Sequence, residues 1–308
     1  MFLGLSVQQT MAHPSYAILE APSVLGLFPK GVETLPDALL AAGLAERITA
    51  SHAGRVEPPP YNPQRDEVTG LLNPHEIAAY SLALADAIAP VRERGDFPIV
   101  LGGDCSILLG CVLATRRQGR AGLLFLDGHA DFYQPEAEPN GEAASMELAL
   151  VTGRGPALVT NLDGLRPLVR DEDVVALGPR DGEIAEEHGS QRVEDTFIAM
   201  TDLRALRQQG AAEAARQALD RLCQPTLDGF WIHLDADVLD DAVMPAVDYR
   251  MPDGLNWHEL STILGRAIGS GRALGIDITI FNPKLDETGA IARSFVDALA
   301  KGLAADGT

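Results

Sequence analysis

Short apolar runs alternate along this chain with stretches of helical periodicity. The runs Ser15–Leu19 (SYAIL), Phe97–Leu101 (FPIVL), Leu123–Asp127 (LLFLD), Val174–Leu177, Phe230–Leu234 (FWIHL) and Ala273–Ile278 are bounded by turn formers and predict strands, most of them buried. Apolar residues at helical spacing predict helices over Leu35–Gly43, Ile77–Arg94, Ile107–Ala114, Asp202–Cys223, Trp257–Ile268 and Thr288–Leu303. Pro36 and Gly43 bracket the first of these, and Asn73-Pro74 opens the second. Glu57–Asp66 (EPPPYNPQRD) reads as a loop, and Gln134–Ala144 is a long polar stretch. The order strand, glycine turn, helix, strand that starts at Phe97 is the βαβ pattern of a parallel sheet. With no repeat and no domain boundary, residues 1–308 are expected to form a single α/β domain with a mainly parallel sheet. Residues 1–14 are expected to be an extra or frayed terminus.

In open α/β sheets ligands gather at the carboxyl ends of the strands. Three predicted strands end there in polar clusters: Gly102-Gly103-Asp104-Cys105-Ser106, Asp127-Gly128-His129-Ala130-Asp131, and His233-Leu234-Asp235-Ala236-Asp237. If strand geometry continued, Asp127, His129 and Asp131 would share one face, as would Asp235 and Asp237. Carboxylates brought together in a core repel one another and need a cation between them. Two strand ends with alternating carboxylates therefore point to metal.

Composition narrows the setting. A 308-residue chain that is 46% hydrophobic can bury a large core. Its net charge of −20 argues against nucleic acid or an anionic membrane as partner and does not forbid an anionic small-molecule substrate. No apolar run is long enough to span a bilayer. Three cysteines, Cys105, Cys111 and Cys223, are too few and odd in number for a disulfide scaffold, so a reducing cytoplasm is expected.

The motifs GGDCS, DGHADF and HLDADVLD, in this order, resemble the arginase/agmatinase (ureohydrolase) superfamily. The similarity extends to Glu20–Pro36, Ala176–Asp181, Gly275–Asp277 and Asn282-Pro283, and so covers nearly the whole chain. The resemblance implies an arginase-like, three-layer α/β/α domain that hydrolyses C–N bonds of guanidino groups with two Mn²⁺ ions. It implies that Asp127 and Asp235 bridge the ions. Cys105 and Asp131 complete the first site, and His129 and Asp237 the second. A water shared by two such ions becomes hydroxide near neutral pH and attacks the trigonal carbon. Family members often form trimers or hexamers, so a homo-oligomer is implied.

Several positions depart from the family. Cys105 stands where a ligand His is expected, which admits Zn²⁺, Fe²⁺ or Ni²⁺ beside Mn²⁺. It also likens the chain to the hydroxyarginine amidinohydrolase branch. Ile280 replaces the Glu that pairs with the guanidinium, Ala144 aligns with a proton-shuttling His, and Tyr133 with a substrate-reading Asn. Ordinary arginine is therefore not the expected substrate. Asp131, Glu142 and His233 are the candidate catalytic residues. Glu142 or Glu147, in the loop expected over the metals, is a replacement proton shuttle or a solvated acid; His233 is a support for the ligands or a core histidine. Glu183 and Glu186 are substrate contacts or exposed surface. The expected function is metal-dependent hydrolysis of a linear amidino or guanidino C–N bond. The competing reading is a catalytically degraded relative that binds metal or ligand in a regulatory role. A mononuclear deacetylase-like amide hydrolase is disfavoured by the paired Asp motifs.

Overall fold

The computed structural model describes residues 14–304. Residues 1–13, on which most of the expected frayed terminus falls, lie outside the described residues. Each predicted apolar run forms a strand. In chain order the strands are β1 (Tyr16–Ala21), β2 (Ser51–Arg55), β3 (Phe97–Gly102), β4 (Ala121–Leu126), β5 (Val174–Leu177), β6 (Ala199–Thr201), β7 (Gly229–Asp235) and β8 (Ala273–Thr279). They make one parallel sheet in the order β2-β1-β3-β8-β7-β4-β5-β6. The helices are α1 (Leu35–Ala41), α2 (Leu44–Arg47), α3 (Pro74–Glu93), α4 (Leu108–Arg116), α5 (Glu147–Val151), α6 (Ala157–Thr160), α7 (Gly182–Glu187), α8 (Leu203–Gln209), α9 (Ala211–Leu222), α10 (Trp257–Gly269) and α11 (Ala290–Leu303).

The sheet is buried on both faces, which is why its inner strands read as continuous apolar runs. One face, carrying Ile99, Leu101, Leu124, Leu126, Ile232 and Leu234, packs against α1, α2 and α8–α11. The other, carrying Val100, Leu123, Phe125 and Trp231, packs against α3–α6. The expected three-layer arrangement is thus present. Among the described residues no helix is long and apolar enough to cross a membrane.

Three local features differ from the sequence expectation. Strands β2 and β6 were not expected. Both are edge strands: β2 is largely exposed and β6 only half buried, so neither carries an apolar signature. The single helix expected over Asp202–Cys223 is broken at Gly210, whose φ of 86° is incompatible with helical propagation. Strand geometry stops at Leu126, so Asp127, His129 and Asp131 are not carried on one strand face. Asp131 instead takes a φ of 42°.

The order of the sheet decides where the chemistry sits. The connection from β3 through α4 to β4 crosses over β8 and β7, so β3, β8, β7 and β4 are neighbours at the centre. All four end at the same edge because all are parallel. Gly103, directly after β3, packs against the chain after β1: a Cβ there would overlap the carbonyl of Ser23, which accepts the Asp104 N–H at 3.0 Å.

Candidate metal centre

Three strand ends deliver the ligand candidates to this edge. Beyond β3, Asp104 caps the following turn by accepting the Ser106 N–H at 2.9 Å, and this orients Cys105 inward. The Cys105 thiol is fully buried and donates to Asp235 Oδ2 at 2.9 Å, with Thr279 Oγ1 at 3.1 Å. Beyond β4 the chain turns tightly. Asp127 Oδ1 accepts the His129 N–H at 2.7 Å, and Gly128 N–H donates to Asp237 Oδ1 at 3.0 Å. Only glycine fits at 128, because a Cβ would meet Arg180 and the Asp237 carbonyl. Beyond β7, Asp235 Oδ1 accepts the Asp237 N–H at 2.6 Å, and this turns the second carboxylate back over the edge. Local carboxylate-to-backbone bonds, rather than strand alternation, aim the ligands.

The segment after β5 buttresses the site. Asp181 accepts the Ala130 N–H at 3.0 Å, and Arg180 Nη2 donates to the Asp237 carbonyl at 2.8 Å. The result brings together all six side chains expected as metal ligands. Asp127, His129 and Asp237 place ligand atoms within 4.8 Å of one another; so do Cys105, His233 and Asp235, and Cys105, Asp131 and Glu147. Glu147, expected in the loop over the metals, lies instead at the start of α5. No periodicity surrounds it, and its only signal was proximity to the expected metal-covering loop.

The electrostatics are those of a cation site. Burial pushes the Asp127, Asp131, Asp235 and Glu147 carboxyls well above the ordinary range. Neighbouring carboxylates add to the shift: Asp131 and Asp235 act on Asp127, and Glu147 on Asp131. Burial and the same carboxylates also push the Cys105 thiol well up. Burial alone would raise Asp237 too, but His129, with Nδ1 at 2.9 Å, holds it down. The same pairing raises His129 against its burial. Several polar atoms remain without partners: Asp127 Oδ2, both oxygens of Glu147 and His233 Nε2. Orphaned buried acceptors of this kind are rare without an ion or water to satisfy them. The donor set, hard carboxylate oxygens with imidazole nitrogen, fits divalent cations.

A cavity of about 460 Å³ opens above the centre. His129, Asp131, Asp235 and Asp237 line its floor. Tyr133, Ala144 and Ile280 line its walls together with Asp181 and Asp248. Ile280 holds a φ of 69°, a strained backbone for a β-branched residue. Glu142 is buried at the rim, where its oxygens accept the Phe28 N–H at 3.0 Å and the Tyr249 hydroxyl at 2.6 Å. Arg65 orders the long polar stretch by donating to the carbonyls of Pro135 and Glu138 at 2.9 and 3.1 Å. Glu183 and Glu186 are exposed on α7. A larger cavity of about 1040 Å³ beside Arg180–Glu186 contains none of the six ligand candidates.

Known proteins share this architecture. The sequence matches the Arginase family over residues 15–304. It is 31% identical to the arginase of Brucella melitensis biotype 1 over 306 residues, covering 92% of this chain and 94% of that protein. It is 29% identical to the arginase of Staphylococcus aureus (strain COL) over 287 residues, covering 91% of this chain and 93% of that one. The crystal structure of arginase from Bacillus subtilis superposes with a TM-score of 0.83 at 26% identity, covering 94% of this chain and 98% of that chain. With the fold, the order of its motifs and these matches in agreement, the chain belongs to the arginase family.

Proposed function

We propose that this arginase-family hydrolase is an amidinohydrolase that cleaves a linear C–N bond of an amidino- or guanidino-type substrate at a centre of two divalent ions. The observation that carries the reading is the convergence of Cys105, Asp127, His129, Asp131, Asp235 and Asp237 on one sheet edge beside orphaned buried acceptors. Cys105, Asp127, Asp131 and Asp235 would hold the first ion. Asp127, His129, Asp235 and Asp237 would hold the second. The carboxylates favour Mn²⁺, while the Cys105 sulfur also suits Zn²⁺, Fe²⁺ or Ni²⁺. Two such ions supply Lewis acidity and lower the pKa of water at the site.

The chain's own residues do the rest. Asp131 lines the cavity, where its carboxylate can take a proton from the attacking water and return it to the leaving amine. Glu142 fixes the Tyr249 hydroxyl at the rim and so shapes the wall, at the place where a proton shuttle was expected. Ile280, Ala144 and Tyr133 set the substrate class. A guanidinium lying beside Ile280 gains no carboxylate there, so its desolvation is not offset, and ordinary arginine is disfavoured.

The test is metal analysis of protein purified without chelator, followed by a panel of guanidino, hydroxyguanidino and formimino compounds scored for urea or ammonia release. The expected result is about two divalent ions per chain and turnover of a panel member other than arginine. Absence of bound divalent ion, with none recruited by added Mn²⁺, overturns the proposal in favour of a catalytically silent relative.

A further inference from the structure

Behind the ligands that line the cavity lies a buried polar row that the proposed reaction does not use. The sheet register places Phe125, His233 and Asp277 side by side on β4, β7 and β8. The imidazole of His233 stacks on Phe125 with ring centroids 4.8 Å apart. Asp277 Oδ1 accepts the Trp231 indole N–H at 2.6 Å, and Asp277 Oδ2 lies 2.5 Å from His233 Nδ1. A carboxylate cannot donate, so His233 Nδ1 carries the hydrogen of that bond. In the neutral ring the lone pair then sits on Nε2, the arrangement found at metal-ligating histidines.

His233 Nε2 is fully buried and has no partner. It stands 3.9 Å from Asp127 Oδ2 and 4.0 Å from Glu147 Oε1, and those two oxygens are also without partners. The spacing discriminates between a proton and an ion. A proton on Nε2 needs an acceptor within about 3.2 Å and would reach neither oxygen. An ion with bonds of about 2.0–2.2 Å can join atoms up to roughly 4.2 Å apart. Asp127, Glu147 and His233 offer three ligand atoms within 4.8 Å of one another, and Cys105 groups with both His233 and Glu147.

We propose that His233 Nε2 and the Glu147 carboxylate are ligands of the first divalent ion, together with Asp127 Oδ2. The proposal rests on the two-ion reading above and goes beyond it by giving that site a nitrogen donor from β7 and an acid from α5. His233 and Glu147, which do not line the cavity, would thus hold the first ion from behind its floor, and His129 and Asp237 would hold the second.

The test is calorimetric titration of chelator-stripped protein with Mn²⁺, for the full chain and for His233→Asn and Glu147→Gln. Thermal unfolding is followed with and without the ion. The full chain is expected to bind two ions. Each variant keeps one at unchanged affinity and weakens the other at least about tenfold. Glu147→Gln, which removes one buried charge and keeps the shape, should be at least as stable as the full chain without metal and gain less stability from Mn²⁺. Two ions bound at full affinity in both folded variants overturns the ligand assignment and leaves the hydrolase reading intact. No ion bound by the full chain overturns both.

Discussion

Replacing Asp277 by Asn exchanges one carboxylate oxygen for an NH₂ group in a fully buried part of the site. Asp277 is fully buried and accepts from two donors, Trp231 Nε1 and His233 Nδ1, at 2.6 and 2.5 Å. The amide of Asn offers one carbonyl oxygen, so one donor must face an NH₂ group. Either an N–H is left unpaired in the core, or the imidazole moves its proton to Nε2 and accepts from the amide. Losing one charge-assisted bond costs about 1.5–3 kcal/mol. At about 2.1 cal/mol/K per residue, the 308-residue chain unfolds with an entropy of roughly 0.65 kcal/mol/K. The metal-free variant should therefore lose roughly 2–5 °C in Tm. If the proton moves, Nε2 also loses the lone pair aimed at Asp127 and Glu147. Mn²⁺ affinity at one of the two sites should then fall at least about tenfold, which is roughly 1.4 kcal/mol. Circular dichroism melts in excess chelator give the first quantity and calorimetric Mn²⁺ titration the second. Nitrogen NMR of the His233 ring reports the tautomer directly. A variant that melts as expected yet binds both ions at unchanged affinity would refute the reasoning, because Asp277 would then only pack the core.

Three further outcomes follow from other parts of the structure. Glu20, buried at the junction of β1 and β2, meets His52 Nε2 at 2.7 Å and Arg55 Nη1 at 2.6 Å; burial would raise its pKa, but these partners outweigh burial and hold it below the ordinary 4.5. A depressed carboxyl stabilises the fold above the ordinary value and stops doing so as pH falls through the lowered one, so Glu20→Gln should cost about 1–2 kcal/mol near pH 7, with the gap closing below pH 4.5; urea midpoints showing a constant gap down to about pH 3 would contradict this. Ile280→Glu puts a carboxylate on the cavity wall and should raise kcat/KM for arginine by roughly tenfold or more relative to the other panel compounds; equal effects on every compound would remove Ile280 from specificity. Gly103→Ala drives a methyl group into the Ser23 carbonyl and should cost about 1–3 kcal/mol in urea unfolding, whereas a neutral result would mean that the turn after β1 yields freely.

Much of this molecule is written along the chain. Strands β1, β3, β4, β5, β7 and β8 are legible because a parallel sheet covered on both faces is apolar at most of its inner positions. The acids of DGHAD and HLDAD are legible because alternating carboxylates recur after two such runs, which turn capping alone does not call for. Edge strands β2 and β6 escape notice because they bury little, and the break at Gly210 because the flanking periodicity runs through it. The grouping of Cys105, Asp131, Glu147 and His233 is a different matter. These residues come from the ends of β3 and β4, the start of α5 and the body of β7, and no local rule links them. What joins them is the crossing of β4 over β8 and β7 and the register that sets His233 beside Asp277. Sequence alone pointed to a cation at this edge, since carboxylates brought together in a core repel one another. Only the tertiary structure decided which side chains surround it, because a ligand set is defined by distances in space and local patterning acts only between near neighbours along the chain.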